Sequence, residues 1–127
     1  MKVFGSDGFR SKFGEKYMTE DFLSKFSVSF AKFCQERPES KSVIIGFDTR
    51  FSGKIIDRQI SKILSENGIE VTSVGVISTP GLAHITKEND FSYGIMITAS
   101  HNPASDNGVK IFSGTGFKLD SYSEQII

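Results

Sequence analysis

The chain has 127 residues, of which 38% are hydrophobic and 24% are charged, and these proportions are typical of one soluble domain with its own apolar core. Its 15 basic and 15 acidic residues give a formal net charge of zero. This balance gives no sign of a nucleic-acid-binding surface or of a surface for acidic lipids, so neither partner is expected. An anionic small molecule is not excluded, because a local group of cations can still bind phosphate.

The only cysteine, Cys34, cannot form an internal disulfide and falls within a predicted helix. A small buried hydrophobe is the favoured interpretation, with a reactive thiol as the alternative. The sequence also lacks metal-ligand spacing, which fits a reducing compartment. Residues 1–8 lack the apolar segment of a signal peptide. No apolar run approaches the ~20 residues that span a bilayer, so a cytoplasmic location without a membrane partner is expected.

The first predicted helix begins after Thr19. Threonine is a preferred N-cap residue, and the two acidic residues that follow lie where the helix dipole favours negative charge. Four phenylalanines then recur at helical spacing: Phe22, Phe26, Phe30 and Phe33. Such an aromatic stripe belongs to a core far more often than to a ligand site. The helix should end at Arg37-Pro38, because proline disfavours helical geometry in the preceding residue.

The middle of the chain alternates strand-like and helix-like patterns. The apolar run 43–47 predicts a strand covered on both faces. A second helix should carry Ile56, Ile60, Ile63 and Leu64 along one face and end at Asn67-Gly68. Residues 71–77 are predicted as another strand. Thr79-Pro80 marks a third helix start, because a proline at the first position lacks only an N–H that would be unpaired anyway.

Residues 93–97 predict a further buried strand, and residues 109–112 a short final one. Helices separate the earlier strands, as in βαβ units. The expected fold class is therefore α/β, a three-layer helix-sheet-helix domain whose mixed, mostly parallel sheet has about four strands. The last strand follows too closely for a helical crossover, so it should pair antiparallel or lie at an edge. Residues 120–127 resemble the start of a helix whose remainder is missing. We therefore expect the chain to be part of a longer protein.

The most promising functional segment is residues 98–103, Thr-Ala-Ser-His-Asn-Pro. It directly follows a predicted strand, and loops at strand carboxyl ends are where ligands bind in open α/β sheets. Small neighbours would let the Ser100 hydroxyl project, and Asn102-Pro103 closes the loop. The alternative is a polar turn with an incidental serine, and the residue pattern alone leaves both interpretations open.

A serine-hydrolase pair of Ser100 and His101 is not expected. Adjacent residues in an extended loop point in opposite directions, so His101 is badly placed to take a proton from Ser100. The Gly-x-Ser-x-Gly elbow is also absent around Ser100. Phosphoryl transfer suits these residues better, because it depends on positioning and charge more than on a tightly coupled base.

Residues 106–108, Asp-Asn-Gly, have the signature of a turn that leads into the last strand. Lys110 follows two residues later. It is either a cation that serves a phosphate near Ser100 or an ordinary solvated lysine, and both interpretations remain open.

Two further segments combine glycine with arginine. The opening, residues 4–10, ends in Arg10. Its backbone N–H groups and guanidinium could hold a phosphate, although Gly-Ser-Asp-Gly is also ordinary turn chemistry. Residues 46–53 lie at another strand end, where Asp48 and Arg50 are interpreted as a pair that braces the loop. His84 is interpreted as a surface or packing residue of the third helix.

Taken together, these segments resemble the α-D-phosphohexomutase superfamily, which comprises phosphoglucomutase, phosphomannomutase and phosphoglucosamine mutase enzymes. The resemblance rests on residues 98–103 followed by Asp-Asn-Gly-x-Lys at 106–110, with further matches at 4–10, 48–53 and 79–80. The opening is most similar to the phosphoglucosamine mutase form. Residues 1–127 look like the first of the family's four domains, the phosphoserine domain, so three more domains of the same polypeptide are expected as partners.

The resemblance implies that Ser100 carries a phosphoryl group. That group would pass between the 1- and 6-positions of a hexose or hexosamine phosphate through a bisphosphorylated sugar. It also implies a Mg²⁺ ion held through the Ser100 phosphate, with its other ligands outside this chain, and a sugar 1,6-bisphosphate activator. His101, Lys110 and Arg10 match residues for proton transfer and charge stabilisation. Arg10, Asn102 and Lys110 are the implied substrate-binding residues.

The sequence departs from the family pattern in two ways. Ser11 stands where the family usually has a glycine. Nothing in the chain matches the family's metal-binding, sugar-selecting or C-terminal phosphate-binding loops, so the chain alone is expected to be inactive. The rival hypothesis is a non-catalytic sugar-phosphate-binding or regulatory module with the same fold. The presence of Ser100, His101 and Lys110 argues against it, because such a module has no use for an acceptor hydroxyl.

Overall fold

The computed structural model describes residues 3–5, 8–37, 42–120 and 123–124. Within these residues, three α-helices are present: α1 (Glu20–Gln35), α2 (Gly53–Glu66) and α3 (Thr79–Glu88). Five strands accompany them: β1 (Phe9–Lys12), β2 (Ser42–Phe47), β3 (Glu70–Val76), β4 (Tyr93–Ile97) and β5 (Asp106–Ser113). A short 3₁₀ turn, Lys16–Met18, precedes α1.

The strands form one mixed sheet in the order β1-β5-β4-β2-β3. In its centre β2 pairs parallel with both β4 and β3, as βαβ connections require. At the other end β5 pairs antiparallel with β4 and with β1. The α/β class and the antiparallel last strand are therefore confirmed.

The sheet has five described strands where about four were predicted. The additional one is β1, whose four residues carry a single apolar side chain, Phe9. A period-2 pattern cannot show in so short a segment. Because β1 occupies the sheet edge, β5 lies inside the sheet.

Local sequence signals explain where the helices begin and end. The Thr19 hydroxyl oxygen accepts a hydrogen bond from the N–H of Phe22, which confirms the N-cap of α1. The Ser78 hydroxyl oxygen does the same for Gly81 at the start of α3. α2 ends at Glu66 with Asn67 as its C-cap, followed by Gly68 with φ 80°, the left-handed conformation that favours glycine. Pro38, predicted to end α1, lies outside the described residues, as does most of 120–127.

The main hydrophobic core lies on the sheet face that α1 and α2 cover. Phe26, Phe30 and Phe33 are buried there and Phe22 packs against them, so the prediction for the aromatic stripe is confirmed. Cys34 lies in the same core and is 0% exposed. Burial, opposed only partly by the charge of Arg37, raises the pKa of its thiol to about 12. The interpretation of Cys34 as a buried hydrophobe is confirmed.

A smaller core lies on the opposite face under α3, where Leu82 packs with Ile44, Met96 and Phe112. Helices on both faces confirm the three-layer architecture. His84 is exposed on α3, as expected for a surface residue. Among the described residues no helix is long and apolar enough to cross a membrane.

Candidate functional site

The Ser100 loop, residues 98–105, joins β4 to β5 at the carboxyl end of β4. Ser100 is exposed and has φ 50°, a left-handed conformation that is uncommon for residues other than glycine. Its N–H donates a hydrogen bond to Thr98 Oγ1 at 3.0 Å. Uncommon backbone conformations of this kind concentrate at functional sites, and this one displays a hydroxyl at the sheet edge where ligands bind in α/β folds.

The side chain of Arg10 reaches this loop from β1. Its Nη2 donates a hydrogen bond to Ser100 Oγ at 3.4 Å, and its Nη1 donates to Asn102 Oδ1 at 3.2 Å. The amide of Asn102 then donates to Asp106 Oδ2 at 3.1 Å. Three of the residues predicted from the sequence, Arg10, Ser100 and Asn102, therefore lie together.

The register of β1 explains why Arg10 points towards the loop. Phe9 lies opposite Val109 and is buried in the main core, so its neighbour Arg10 lies on the other face of the sheet. Arg10 lies opposite Gly108. A Cβ atom at Gly108 would approach Arg10 Cγ to 2.8 Å and the carbonyl oxygen of Phe9 to 2.6 Å. A glycine is therefore needed there for the Arg10 side chain to cross β5.

The prediction of a turn at residues 106–108 is wrong. These residues are the first three of β5, and they pair with Arg10–Lys12 of β1. The tight turn lies just before them, where the N–H of Asp106 donates to the carbonyl oxygen of Pro103 at 2.9 Å. Asn-Gly has turn propensity, but pairing with β1 outweighs it.

Asn107 has a structural role instead. Its side chain is fully buried, and Nδ2 donates to Ser52 Oγ at 2.8 Å. Its Oδ1 accepts a hydrogen bond from the N–H of Gly108 at 2.9 Å. The side chain thus joins β5 to the N-terminus of α2.

Lys110 and His101 lie on different elements, Lys110 within β5 and His101 in the Ser100 loop. Lys110 shares a sheet face with Arg10, because it follows Gly108 by two residues in β5 and β1 is in register with it. Its Nζ lies 5.4 Å from the centroid of the Phe112 ring. His101 is exposed next to Ser100 at the tip of the loop.

The carboxylate of Asp48 joins the end of β2 to the end of β4. It accepts a hydrogen bond from the Thr98 hydroxyl at 2.6 Å and one each from the N–H and Nε of Arg50 at 3.1 and 2.9 Å. Burial by itself would raise the pKa of Asp48. The bonds from Thr98 and Arg50, with the positive charge of Arg50, outweigh burial and hold the pKa below its ordinary value.

Arg50 does more than the sequence suggested. The predicted pairing with Asp48 is present, but the guanidinium also binds the Ser100 loop. Nη2 donates to the carbonyl oxygen of Ser100 at 2.6 Å, and Nη1 donates to those of Asn102, Pro103 and Asp106 at 3.0, 2.6 and 3.3 Å. The available signal was an arginine at the end of β2, the strand beside β4.

The glycine-rich opening is described only in part, since Ser6 and Asp7 lie outside the described residues. Gly8 has φ 81°, and a Cβ atom there would overlap the carbonyl oxygen of Val109. Ser11, the departure from the family pattern, donates its hydroxyl to the carbonyl oxygen of Glu15 at 2.8 Å and accepts from the N–H of Tyr17 at 3.1 Å. A glycine could make neither bond, so Ser11 shapes the chain after β1.

An α/β/α domain with a serine and an arginine at the edge of its sheet matches a known family. The model of phosphoglucomutase/phosphomannomutase, alpha/beta/alpha domain I, matches residues 1–127. The chain belongs to this family, and the resemblance to the phosphohexomutases is confirmed.

Similar proteins agree with this assignment. Phosphoglucosamine mutases from Psychrobacter cryohalolentis and Wolinella succinogenes are both 39% identical to the chain over 100% of its length. The crystal structure of a Thermus thermophilus protein named as a phosphomannomutase has a TM-score of 0.89 and 30% identity over 97% of this chain. The chain spans only 28–29% of the length of these three proteins.

Proposed function

We propose that this chain is the phosphoserine domain of a phosphohexomutase. The enzyme would transfer a phosphoryl group between the 1- and 6-positions of a hexose or hexosamine phosphate. The 39% identity to phosphoglucosamine mutases favours a hexosamine phosphate. The observation that carries the proposal is the contact of Arg10 Nη2 with Ser100 Oγ at 3.4 Å, since it places a cation on an exposed hydroxyl at the end of β4.

In this proposal the Ser100 Oγ atom gives and receives the phosphoryl group. In the first half-reaction the P–O bond to Oγ breaks and a P–O bond to a sugar hydroxyl oxygen forms. The sugar hydroxyl loses its proton to a base, and Oγ takes up a proton. Arg10 stabilises the negative charge that develops on Oγ. In the second half-reaction the sugar bisphosphate returns its other phosphoryl group to Ser100, so the serine ends as it began.

The neighbouring residues complete the proposed site. His101 would be the base that takes the proton from the sugar hydroxyl, since histidine is the side chain most often used for this purpose and the residue is exposed beside Ser100. A phosphoserine carries about −1.5 to −2 charges, and Arg10 and Lys110 would offset part of them. Asn102 shapes the loop and, with Arg10 and Lys110, would contact the substrate.

A Mg²⁺ ion is part of the proposal, because phosphate oxygens are the ligand type that this ion prefers. Within the described ranges no group of three or more His, Cys, Asp or Glu side chains could hold a metal. The Ser100 phosphate would therefore be the contribution of this chain to the metal site. When bound, the ion would supply positive charge to the transferring phosphoryl oxygens.

Other parts of a longer protein would complete the enzyme. The length of the relatives, of which this chain spans 28–29%, supports three further domains that carry the other metal ligands and the sugar-reading residues. A sugar 1,6-bisphosphate activator would first phosphorylate Ser100. The chain alone would then carry a phosphoryl group on Ser100 without completing a catalytic turnover.

The test is Ser100→Ala in the protein expressed from its complete reading frame. We expect mass spectrometry to map a phosphate to Ser100 and turnover of glucosamine phosphate to fall at least ~10³-fold in the variant. The matched control is Ser105→Ala, because Ser105 is an exposed serine of the same loop. Unchanged turnover in Ser100→Ala would refute the proposal. Sugar phosphate binding without phosphorylation or turnover would support the non-catalytic module instead.

A further inference from the structure

We infer that Arg50 is a positioning residue for phosphoryl transfer, which holds the Ser100 loop in the conformation that presents Ser100 Oγ to Arg10. The inference rests on the proposed function. It assigns Arg50 no contact with the substrate, so its effect would pass entirely through the loop.

The first argument is the number of bonds that one side chain makes to the loop. The guanidinium donates to four carbonyl oxygens, those of Ser100, Asn102, Pro103 and Asp106. These acceptors lie on both sides of the His101 tip. Arg50 thereby fixes the start and the end of the exposed part of the loop relative to β2.

The second argument concerns what remains for a ligand. The side chain of Arg50 is only 9% exposed, and its Nε, Nη1 and Nη2 all donate hydrogen bonds within the protein. The Asp48 carboxylate lies against it and offsets its charge. Because most of its N–H groups already donate within the protein and the side chain is nearly buried, a positioning role is favoured over substrate binding.

The third argument is the direction in which the loop peptides point. The described peptide bonds are trans, so each carbonyl points opposite to the N–H of the following residue. By binding the carbonyl oxygen of Ser100, Arg50 directs the N–H of His101 away from itself. Oxygen atoms that would repel a phosphate dianion thus face Arg50, and the left-handed conformation of Ser100, φ 50°, is held from its carbonyl side.

The test compares Arg50→Lys with Arg58→Lys in the protein expressed from its complete reading frame. A lysine has one ammonium group and lacks the planar fork that reaches several acceptors at once. Arg58 is exposed on α2 and serves as the control for the same substitution. Steady-state kinetics and amide hydrogen exchange are measured on both variants.

For Arg50→Lys we expect kcat to fall at least ~10-fold while KM for the sugar phosphate changes less than ~2-fold. Amide exchange in residues 98–106 should be at least ~10-fold faster, with exchange in α1 unchanged. Arg58→Lys should match the parent protein in both measurements. A raised KM with kcat preserved would show that Arg50 binds substrate and would overturn the inference, as would unchanged exchange in the loop.

A second variant covers the case in which Arg50→Lys destabilises the whole domain and speeds exchange in α1. Asp48→Asn keeps the guanidinium and removes the carboxylate charge beside it, while the amide oxygen can still accept the hydrogen bond from the Thr98 hydroxyl. It should still speed exchange in the loop and leave α1 unchanged, and equal acceleration in both would overturn the inference. The exchange measurements do not require turnover, so failure of the proposed function, seen as full turnover in Ser100→Ala, is recognised separately.

Discussion

Replacing Asn107 with alanine should destabilise the domain strongly, although the residue is polar and its sequence context predicted a turn. The side chain is fully buried and makes two hydrogen bonds, one to Ser52 Oγ and one from the N–H of Gly108. Ser52 is itself 0% exposed. Leaving a buried polar group without its partner costs about 1–3 kcal/mol, so two such groups predict a loss of about 2–6 kcal/mol in the free energy of unfolding.

The assay is urea denaturation of the 127-residue chain, followed by far-UV circular dichroism because the chain has no tryptophan. Asn89→Ala is the matched control, since Asn89 is exposed at the end of α3 and should change the free energy of unfolding by less than about 0.5 kcal/mol. Ser52→Ala should cost about 1–3 kcal/mol.

The double variant Ser52→Ala/Asn107→Ala tests the reasoning further. Each single variant leaves one buried polar group without its partner, whereas the double variant removes both groups. Its cost should therefore be less than the sum of the two single costs. A cost below about 1 kcal/mol for Asn107→Ala, or strict additivity in the double variant, would show that the bridge from β5 to α2 does not stabilise the domain.

Two further predictions follow from the shifted pKa values. The pKa of Asp48 lies below its ordinary value of 3.8, so its ionised contacts with Thr98 and Arg50 should stabilise the loop fully above pH 3.8 and be lost as the pH falls through the folded-state pKa. Nuclear magnetic resonance titration of the Asp48 carboxyl carbon checks this, and a midpoint above about pH 4 would contradict it. Cys34, with its thiol pKa near 12, should resist thiol-specific reagents at about pH 8 until urea unfolds the chain; rapid labelling of the folded chain would show that the thiol is accessible.

The sequence predicted those parts of the fold that depend on neighbours along the chain. Thr19 caps α1 because its hydroxyl needs only the N–H of Phe22. The stripe of phenylalanines faces the core because helical geometry alone aligns it. Strand β4 was predicted with the bounds that the structure has, Tyr93–Ile97. A strand that is buried on both faces is an uninterrupted apolar run, so its first and last residues are easy to recognise in the sequence.

What the sequence did not predict depends on residues that are distant along the chain. Strand β1 has one apolar residue, so only its pairing with β5 reveals it. That same pairing turns residues 106–108 from a predicted turn into a strand. Arg50 was placed correctly beside Asp48, but its bonds to the Ser100 loop join residues 50 to 56 positions apart, and no local pattern encodes them.

The position of Arg10 on an edge strand has a consequence for synthesis on the ribosome. Arg10 leaves the ribosome 90 residues before Ser100, but in the described sheet its strand β1 pairs with β5, which ends at Ser113. Domains generally fold as units as they emerge. The nascent chain therefore cannot bring the Arg10 guanidinium to Ser100 until β5 has emerged, so Ser100 lacks this cation only while the residues from Ser100 to Ser113 are being added and exposed.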